Sequence, residues 1–309
     1  METDQKLEIN QTNQVMTDVV TPSIWTVLAK EFMKDKLALF CLFLAVGLIL
    51  TVFIWSGFFL DVIEVTRVDL SIGRLPWGYA MDQHFILGTD PGGRSILHLV
   101  VYGARNSLII AFSVAGIGIV IGSTIGLIAG FYGGHVDNVI MRTLDFVTII
   151  PTLMVMILII TIFPRTMFYL IVAFWVFGWI GPARLVRMVT LQQSALDYVK
   201  ASKTLGTPNI VIIFREVIPN IISFMMTQYT LILAGTMGIE VGLTMLGFGL
   251  PITTPTLGAL LRWAMTPTDL QFRPWFWVPA GSFVLTMVLC INYVGQAIGR
   301  AADARRRRA

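Results

Sequence analysis

The chain has 309 residues, of which 56% are apolar and only 13% are charged. This charged share is about half that of soluble domains, which excludes an ordinary soluble protein and indicates a chain embedded in lipid. The formal net charge of +4 requires no nucleic-acid partner, because Lys and Arg accumulate on the cytoplasmic side of membrane proteins.

The N-terminal residues 1–36 are polar and lack the apolar core and small-residue cleavage site of a secretory signal. They predict a cytoplasmic tail, with an interfacial helix expected around Trp25–Lys36.

Six segments are apolar over roughly the 20 residues that a helix needs to cross the hydrocarbon core. They predict an all-α membrane protein with spans at 37–58, 107–130, 143–163, 167–183, 219–245 and 276–298. The chain would then consist of a first span with an outer loop (37–106), a core (107–300) and a basic tail (301–309).

Lys and Arg determine the orientation, because basic loops stay on the cytoplasmic side. With both termini inside, the inner segments hold most of the 22 Lys and Arg residues, including Arg305 to Arg308 in the tail. We therefore predict an N-in/C-in protein whose basic tail contacts anionic lipid head groups.

The sequence contains no strong signal of chemistry. Cys41 and Cys290 fall inside predicted spans and are expected to be packing residues, and His84, His98 and His135 are too dispersed to share a metal. No Gly-rich loop ending in Lys-Ser or Lys-Thr is present to cradle a phosphate. If ATP supplies the energy, another chain binds it.

Two features inside the spans leave alternatives open. Gly118, Gly122, Gly126 and Gly130 repeat every four residues and predict a close helix–helix contact, either within one subunit or against a second membrane subunit. Glu240, late in the fifth span, is either a structural hydrogen-bonding group or a substrate contact. One such acid, without evident repeats, argues against a self-powered secondary carrier.

A polar segment, "YVKASKTLGTPNIVIIFREVIPN" (198–220), interrupts this apolar pattern. Its first part predicts a short helix with a narrow face formed by Tyr198, Ala201, Ser202 and Leu205. Gly206 is expected to end this helix with a positive φ. Thr207 and Pro208 are expected to start a second helix as N-cap and first-turn proline, and Pro219 to mark its junction with the fifth span. A surface helix without a partner and a docking helix both fit this pattern.

The segment resembles the cytoplasmic loop of the membrane subunits of ATP-binding-cassette (ABC) importers, which reads Glu-Ala-Ala, then Gly, then Pro. Here Lys200-Ala201-Ser202, Gly206 and Pro219 have that spacing, with Lys200 in place of Glu. The resemblance implies a coupling helix at about 197–206 that docks on an ATPase subunit. The residues it implicates are Tyr198, Lys200, Ala201, Ser202, Leu205, Gly206, Arg215, Glu216 and Pro219.

Three further blocks are similar to the C-type permeases of dipeptide and oligopeptide importers, a group that includes nickel and opine importers. The outer-loop block contains Leu87, Gly88, Thr89, Asp90, Gly93 and Arg94. The other two contain Gly133, Gly134, Asp137, Met141 and Arg142, and then Glu240, Gly247 and Gly249. The outer block either contacts a solute-binding protein or is a turn held by an Asp90–Arg94 ion pair. Asp137, Met141 and Arg142 are expected to fix the inner end of the third span.

The resemblance implies an ABC type I importer permease in the bacterial cytoplasmic membrane, without catalytic residues, metal or cofactor of its own. Its partners would be a second homologous permease, two ATPase subunits that bind ATP and Mg, and an extracytoplasmic solute-binding protein that delivers peptide. The alternatives are a self-contained channel or carrier, and a membrane scaffold that merely recruits an ATPase.

Overall fold

A computed structural model of the chain describes residues 29–78, 85–251 and 253–306, with side chains to residue 302. The described residues are helices and loops, with one isolated bridge between Thr89 and Ser95. The helices of the membrane region are α1 (Lys36–Phe58), α3 (Ile96–Tyr132), α4 (Gly134–Thr148), α5 (Thr152–Ile162), α6 (Met167–Gly178), α7 (Ile180–Ser194), α10 (Ile218–Met245) and α13 (Val278–Arg306).

Shorter helices occupy the two ends of the bundle. They are α2 (Val62–Thr66), α8 (Asp197–Thr204), α9 (Asn209–Ile212), α11 (Leu257–Leu261) and α12 (Pro267–Phe272). Two 3₁₀ turns, Arg262–Met265 and Pro274–Phe276, flank α12.

The predicted spans are found, but three of their boundaries are wrong. The second span begins at Ile96 rather than at 107, and the fourth continues through α7 to Ser194 rather than ending at 183. The fifth span begins at Asn209 rather than at 219. Each extension contains polar or charged residues among its apolar ones, so hydropathy underestimates the length of helices that continue beyond the hydrocarbon core.

The third predicted span is broken. Its two halves, α4 and α5, are bent by 69° relative to each other. The break precedes Pro151, which lacks an N–H and disfavours helical backbone in the residue before it. Among the described residues, five helices can cross the membrane alone, and the bent pair makes a sixth span if it is counted as one.

The glycine repeat of α3 packs against α7 and, at Gly118, against the last residue of α6, Gly178, all within the same chain. A Cβ on Gly122 would lie 2.6 Å from the Trp179 carbonyl oxygen, and one on Gly126 would lie 2.6 Å from that of Ala183. A Cβ on Gly130 would lie 2.7 Å from the carbonyl oxygen of Arg187. The structure therefore favours the interpretation that these glycines pack within one subunit.

The two ends of the described chain meet at one side of the bundle. Asp35 caps α1 by accepting a 3.1 Å bond from the Ala38 N–H, and it accepts a 2.8 Å bond from Arg300 in α13. This pairing agrees with an N-in/C-in arrangement. Cys41 and Cys290 are free thiols buried in the core that joins α1 to α13, as expected of packing residues.

Several predictions concern residues outside the described ranges. The helix expected around Trp25–Lys36 is described only from residue 29, where residues 29–32 are helical. His84 and the side chains of Arg305 to Arg308 lie outside as well.

Candidate coupling site

The polar segment forms the short helix α8 at the inner end of the bundle. Gly206 follows it with a φ of 81°, a left-handed conformation that suits glycine. The Thr207 N–H donates a 3.1 Å bond back to the Ser202 carbonyl oxygen, which closes the turn. The expected N-cap was wrong by one residue, because α9 begins at Asn209 and Pro208 is its cap.

One apolar residue anchors α8 to the bundle. Val199 is fully buried in a cluster with residues of α3, α7, α9 and the start of the fifth span, including Phe131, Val189 and Ile212. The Lys203 ammonium lies 4.2 Å from the centroid of the Phe131 ring, a cation–π contact to the end of α3. Sequence reasoning missed Val199; its signal was a single β-branched apolar residue in an otherwise polar helix.

Tyr198, Ala201, Ser202 and Leu205 were predicted to share one face, but they do not all point the same way. The Ser202 hydroxyl donates a 2.6 Å hydrogen bond to Glu216 Oε1, so it points at the chain's own fifth span. Leu205 is 85% exposed, and Ala201 is also exposed. Ala201 thus lies on the free surface of α8, and Leu205 is the exposed residue that caps its end.

Tyr198 forms the edge of that surface. Its hydroxyl donates a 2.9 Å bond to Gln193 Oε1 and accepts a 3.3 Å bond from Asn220 Nδ2. Burial raises the pKa of the Tyr198 phenol, while the bond from Asn220 acts in the opposite direction. The phenol therefore stays protonated and can keep donating to Gln193.

Lys200, the departure from the family pattern, is a surface residue. Its ammonium lies 3.3 Å from Asp197 one turn away, and its side chain is 61% exposed. An exposed pair of this kind contributes little to stability. Lys200 is thus free to face a partner, as is the exposed Arg215.

Pro219 lies in the first turn of α10, and the helix of the fifth span continues upstream of it into α9. The chain is helical from Asn209 to Met245, with a π-helical turn over Ile213–Val217 immediately before Pro219. A proline removes one helical hydrogen bond, and a π turn is a common way of accommodating such a defect. Asn220 Nδ2 donates a 2.7 Å bond to the Glu216 carbonyl oxygen at this turn. Glu216 therefore joins α8 to the fifth span through its bond from Ser202.

Asp137 links α4 to α7 beside the same site. Both of its carboxylate oxygens accept 2.5 Å bonds from Arg187, whose role the sequence reasoning missed. Gly133 and Gly134 turn the chain from α3 into α4 just before it. Met141 packs partly buried against the neighbouring apolar cluster, whereas Arg142 is exposed.

The outer-loop block is a compact loop held by buried hydrogen bonds. Asp90 is fully buried and accepts 2.9 Å bonds from the backbone N–H groups of Gly92 and Arg94 and a 2.8 Å bond from Arg94 Nε. The Thr89 hydroxyl donates a 2.8 Å bond to the Gly73 carbonyl oxygen. The contacts between Asp90 and Arg94 support the interpretation of a local ion pair, and the Thr89 bond holds the same loop closed.

Two glycines of this block are tightly enclosed. A Cβ on Gly88 would lie 2.5 Å from the Leu75 carbonyl oxygen, and one on Gly93 would lie 2.0 Å from that of Asp69. Leu87 packs against the core beside them. The block thus ties the outer loop to itself and to α3.

Glu240 holds three elements together at the outer end. Its carboxylate accepts 3.0 Å bonds from Ser107 of α3 and from Thr244 of α10. The Ser107 hydroxyl in turn accepts a 3.2 Å bond from the Leu257 N–H of α11. With Glu240 only 1% exposed, the structure favours the structural interpretation. Gly247 and Gly249 form the turn after α10, where Gly249 lies against Thr244.

Known proteins similar to this chain include bacterial permeases. It is 41% identical over 279 residues to the oligopeptide transport system permease protein OppC of Lactococcus lactis subsp. cremoris, covering 89% of this chain and 93% of that protein. It is 34% identical to the dipeptide transport system permease protein DppC of Bacillus subtilis, covering 90% and 85%. The OppC of B. subtilis is 32% identical, covering 93% and 91%.

A family model described as "binding-protein-dependent transport system inner membrane component" matches residues 122–308, which include α7, α8 and the fifth span. With several membrane-spanning helices, the chain is a multi-pass protein of the bacterial cytoplasmic membrane. It belongs to the family of binding-protein-dependent transport system inner membrane components.

Proposed function

We propose that this chain is the permease subunit of an ATP-driven ABC importer for di- and oligopeptides. It forms the translocation path with a second, related permease, and two ATPase subunits that bind ATP and Mg dock at the inner side. A solute-binding protein delivers the peptide from outside. The chain itself performs no covalent chemistry.

The observation that carries this proposal is the construction of α8. Its outward residues, Ala201 and Leu205, are exposed, while Val199 and Ser202 attach it to three long helices. A small helix with an exposed apolar residue and a rigid attachment suits docking on a partner and transmitting its motion. The relatives named as oligopeptide and dipeptide permeases support peptides as the substrate class.

Leu205→Asp tests the docking. A charge in place of an apolar anchor in a desolvated interface should weaken ATPase attachment by at least about tenfold. Leu70→Asp is the matched control, because Leu70 is 77% exposed but lies in the outer loop. Co-purification of the ATPase subunits from membranes, followed by ATP-dependent peptide uptake in vesicles, provides the two measurements.

Equal ATPase recovery with Leu205→Asp and Leu70→Asp would contradict docking at α8. Peptide flux in vesicles that contain this chain alone would favour a channel or carrier instead. Attachment of the ATPase without ATP-dependent uptake, when all other subunits are present, would favour a scaffold.

A further inference from the structure

We propose a phospholipid-binding site at the outer end of α1, specific for a zwitterionic head group that carries a primary ammonium. The site has a polar part, formed by α2 and the start of α3, and an apolar part along α1. Neither part belongs to the coupling site or to the outer-loop block.

The polar part is a cavity of about 530 Å³ at the junction of α1, α2 and α3. Ser56, Asp61, Glu64, Tyr102 and Arg105 provide its polar groups. It thus combines one cation with two carboxylates. This combination matches a head group that contains both a phosphate and an ammonium.

Arg105 is the group suited to the phosphate. It donates a 3.4 Å bond to the Tyr102 hydroxyl, and its guanidinium lies 5.4 Å from the centroid of that ring. Among the residues that the structure describes, it has no carboxylate partner within ion-pair distance. A guanidinium presents several N–H donors in a fixed plane, which favours bidentate binding of phosphate oxygens.

Asp61 and Glu64 are suited to the ammonium. Asp61 caps α2 by accepting a 3.0 Å bond from the Ile63 N–H through Oδ1, which leaves Oδ2 available. Glu64 is exposed in the first turn of the same helix. A primary ammonium can donate to both carboxylates, whereas a quaternary ammonium has no N–H. An anionic head group would be repelled by both.

The apolar part makes a lipid the occupant rather than a water-soluble zwitterion such as a free peptide. A second cavity of about 510 Å³ is lined by Leu50, Thr51, Ile54, Trp55 and Phe59. Phe59 lines both cavities, so the polar part continues into a groove on the membrane face of α1.

The depth of the two parts agrees with a lipid of the outer leaflet. The 23 residues of α1 rise over roughly 34 Å, close to the roughly 30 Å of the hydrocarbon core. The polar part therefore lies at the outer head-group level and the groove lies at acyl-chain depth. Trp55 is placed where interfacial tryptophans are common.

The test is lipid retention by the full-length chain, measured by native mass spectrometry after equilibration with defined phospholipids in detergent. We expect phosphatidylethanolamine to be retained over phosphatidylcholine and phosphatidylglycerol. Arg105→Ala should weaken phosphatidylethanolamine retention by about tenfold, the usual effect of losing a charge-assisted hydrogen bond. Arg74→Ala, at an exposed outer-loop arginine that does not line the cavity, should change nothing.

Glu64→Gln and Thr51→Trp extend the test without removing Arg105. Glu64→Gln should reduce the preference for the primary ammonium, and Thr51→Trp should fill the groove and weaken retention of every phospholipid. Unchanged retention in these two variants would overturn the proposal, as would a preference for phosphatidylglycerol. Loss of the bound lipid upon assembly with the second permease would show that protein covers this surface, and would overturn it too.

Discussion

Ser202 of the exposed helix α8 donates a 2.6 Å hydrogen bond to Glu216, which lies in the π-helical turn of the fifth span. The bond joins a surface helix to a membrane helix across a turn, and the Asn220 side chain bonds to the Glu216 carbonyl oxygen on the other side. Glu216 is therefore the polar link between α8 and the span, beside the apolar packing of Val199.

Ser202→Ala should loosen this connection. The loss of a hydrogen bond to a charged group costs about 1.5–3 kcal/mol. We expect faster hydrogen exchange in α8 and a lower uptake per ATP hydrolysed. Thr204→Ala is the control, because its hydroxyl bonds at 2.9 Å to the Lys200 carbonyl oxygen of the same helix. Indistinguishable exchange and uptake in the two variants would exclude a transmitting role for Ser202.

Gly126→Ala should force α3 and α7 apart. The new Cβ would meet backbone atoms at 2.6 and 2.8 Å, which cannot move aside as a side-chain end can. Overpacking of this kind costs about 1–3 kcal/mol or more. Gly116→Ala lies in the same helix with nothing within 4 Å of its Cβ, so it should be neutral or slightly stabilising because alanine is the better helix former. Thermal unfolding in detergent compares the two, and equal midpoints would refute a tight α3–α7 contact.

Arg187→Lys should destabilise the contact between α4 and α7. Lysine cannot reproduce the two parallel bonds to Asp137, whose side chain is 12% exposed, and we expect a cost of about 1–3 kcal/mol. Arg184→Lys is the matched control, since its ion pair with Asp145 is 39% and 62% exposed and such surface pairs contribute about 0–1 kcal/mol. Chemical unfolding of both variants measures the difference; a larger loss in Arg184→Lys would contradict this ranking.

Asp35 should make the contact between the chain ends sensitive to acid. The Ala38 N–H and then Arg300 lower the pKa of the Asp35 carboxyl from its ordinary value of 3.8. A lowered pKa means that the ionised form is favoured by folding, so the stabilisation is complete above 3.8 and declines as the pH falls through the lower, folded-state pKa. The unfolding temperatures of wild type and Asp35→Asn should therefore become equal as the pH falls below about 4. A constant difference at all pH values would show that Asp35 acts without its charge.

Much of the coupling site was predictable from the sequence. Gly206 has the expected positive φ, and the helix expected at about 197–206 is α8, Asp197–Thr204. These features depend on residues close in the chain. The inward direction of Ser202 was not predictable, because it depends on how α8 is rotated against a helix that begins after the turn.

The same distinction holds for the spans and their packing. The sequence alone determined that this is a multi-span helical protein, because the cost of exposing polar groups to lipid depends on local composition over about 20 residues. Only the tertiary structure decided that the glycines of α3 face α7, that Asp137 pairs with Arg187, and that Glu240 joins α3 to α10. Each of these contacts requires a particular rotation and register of two helices distant in sequence, and residue spacing within one helix does not specify its partner.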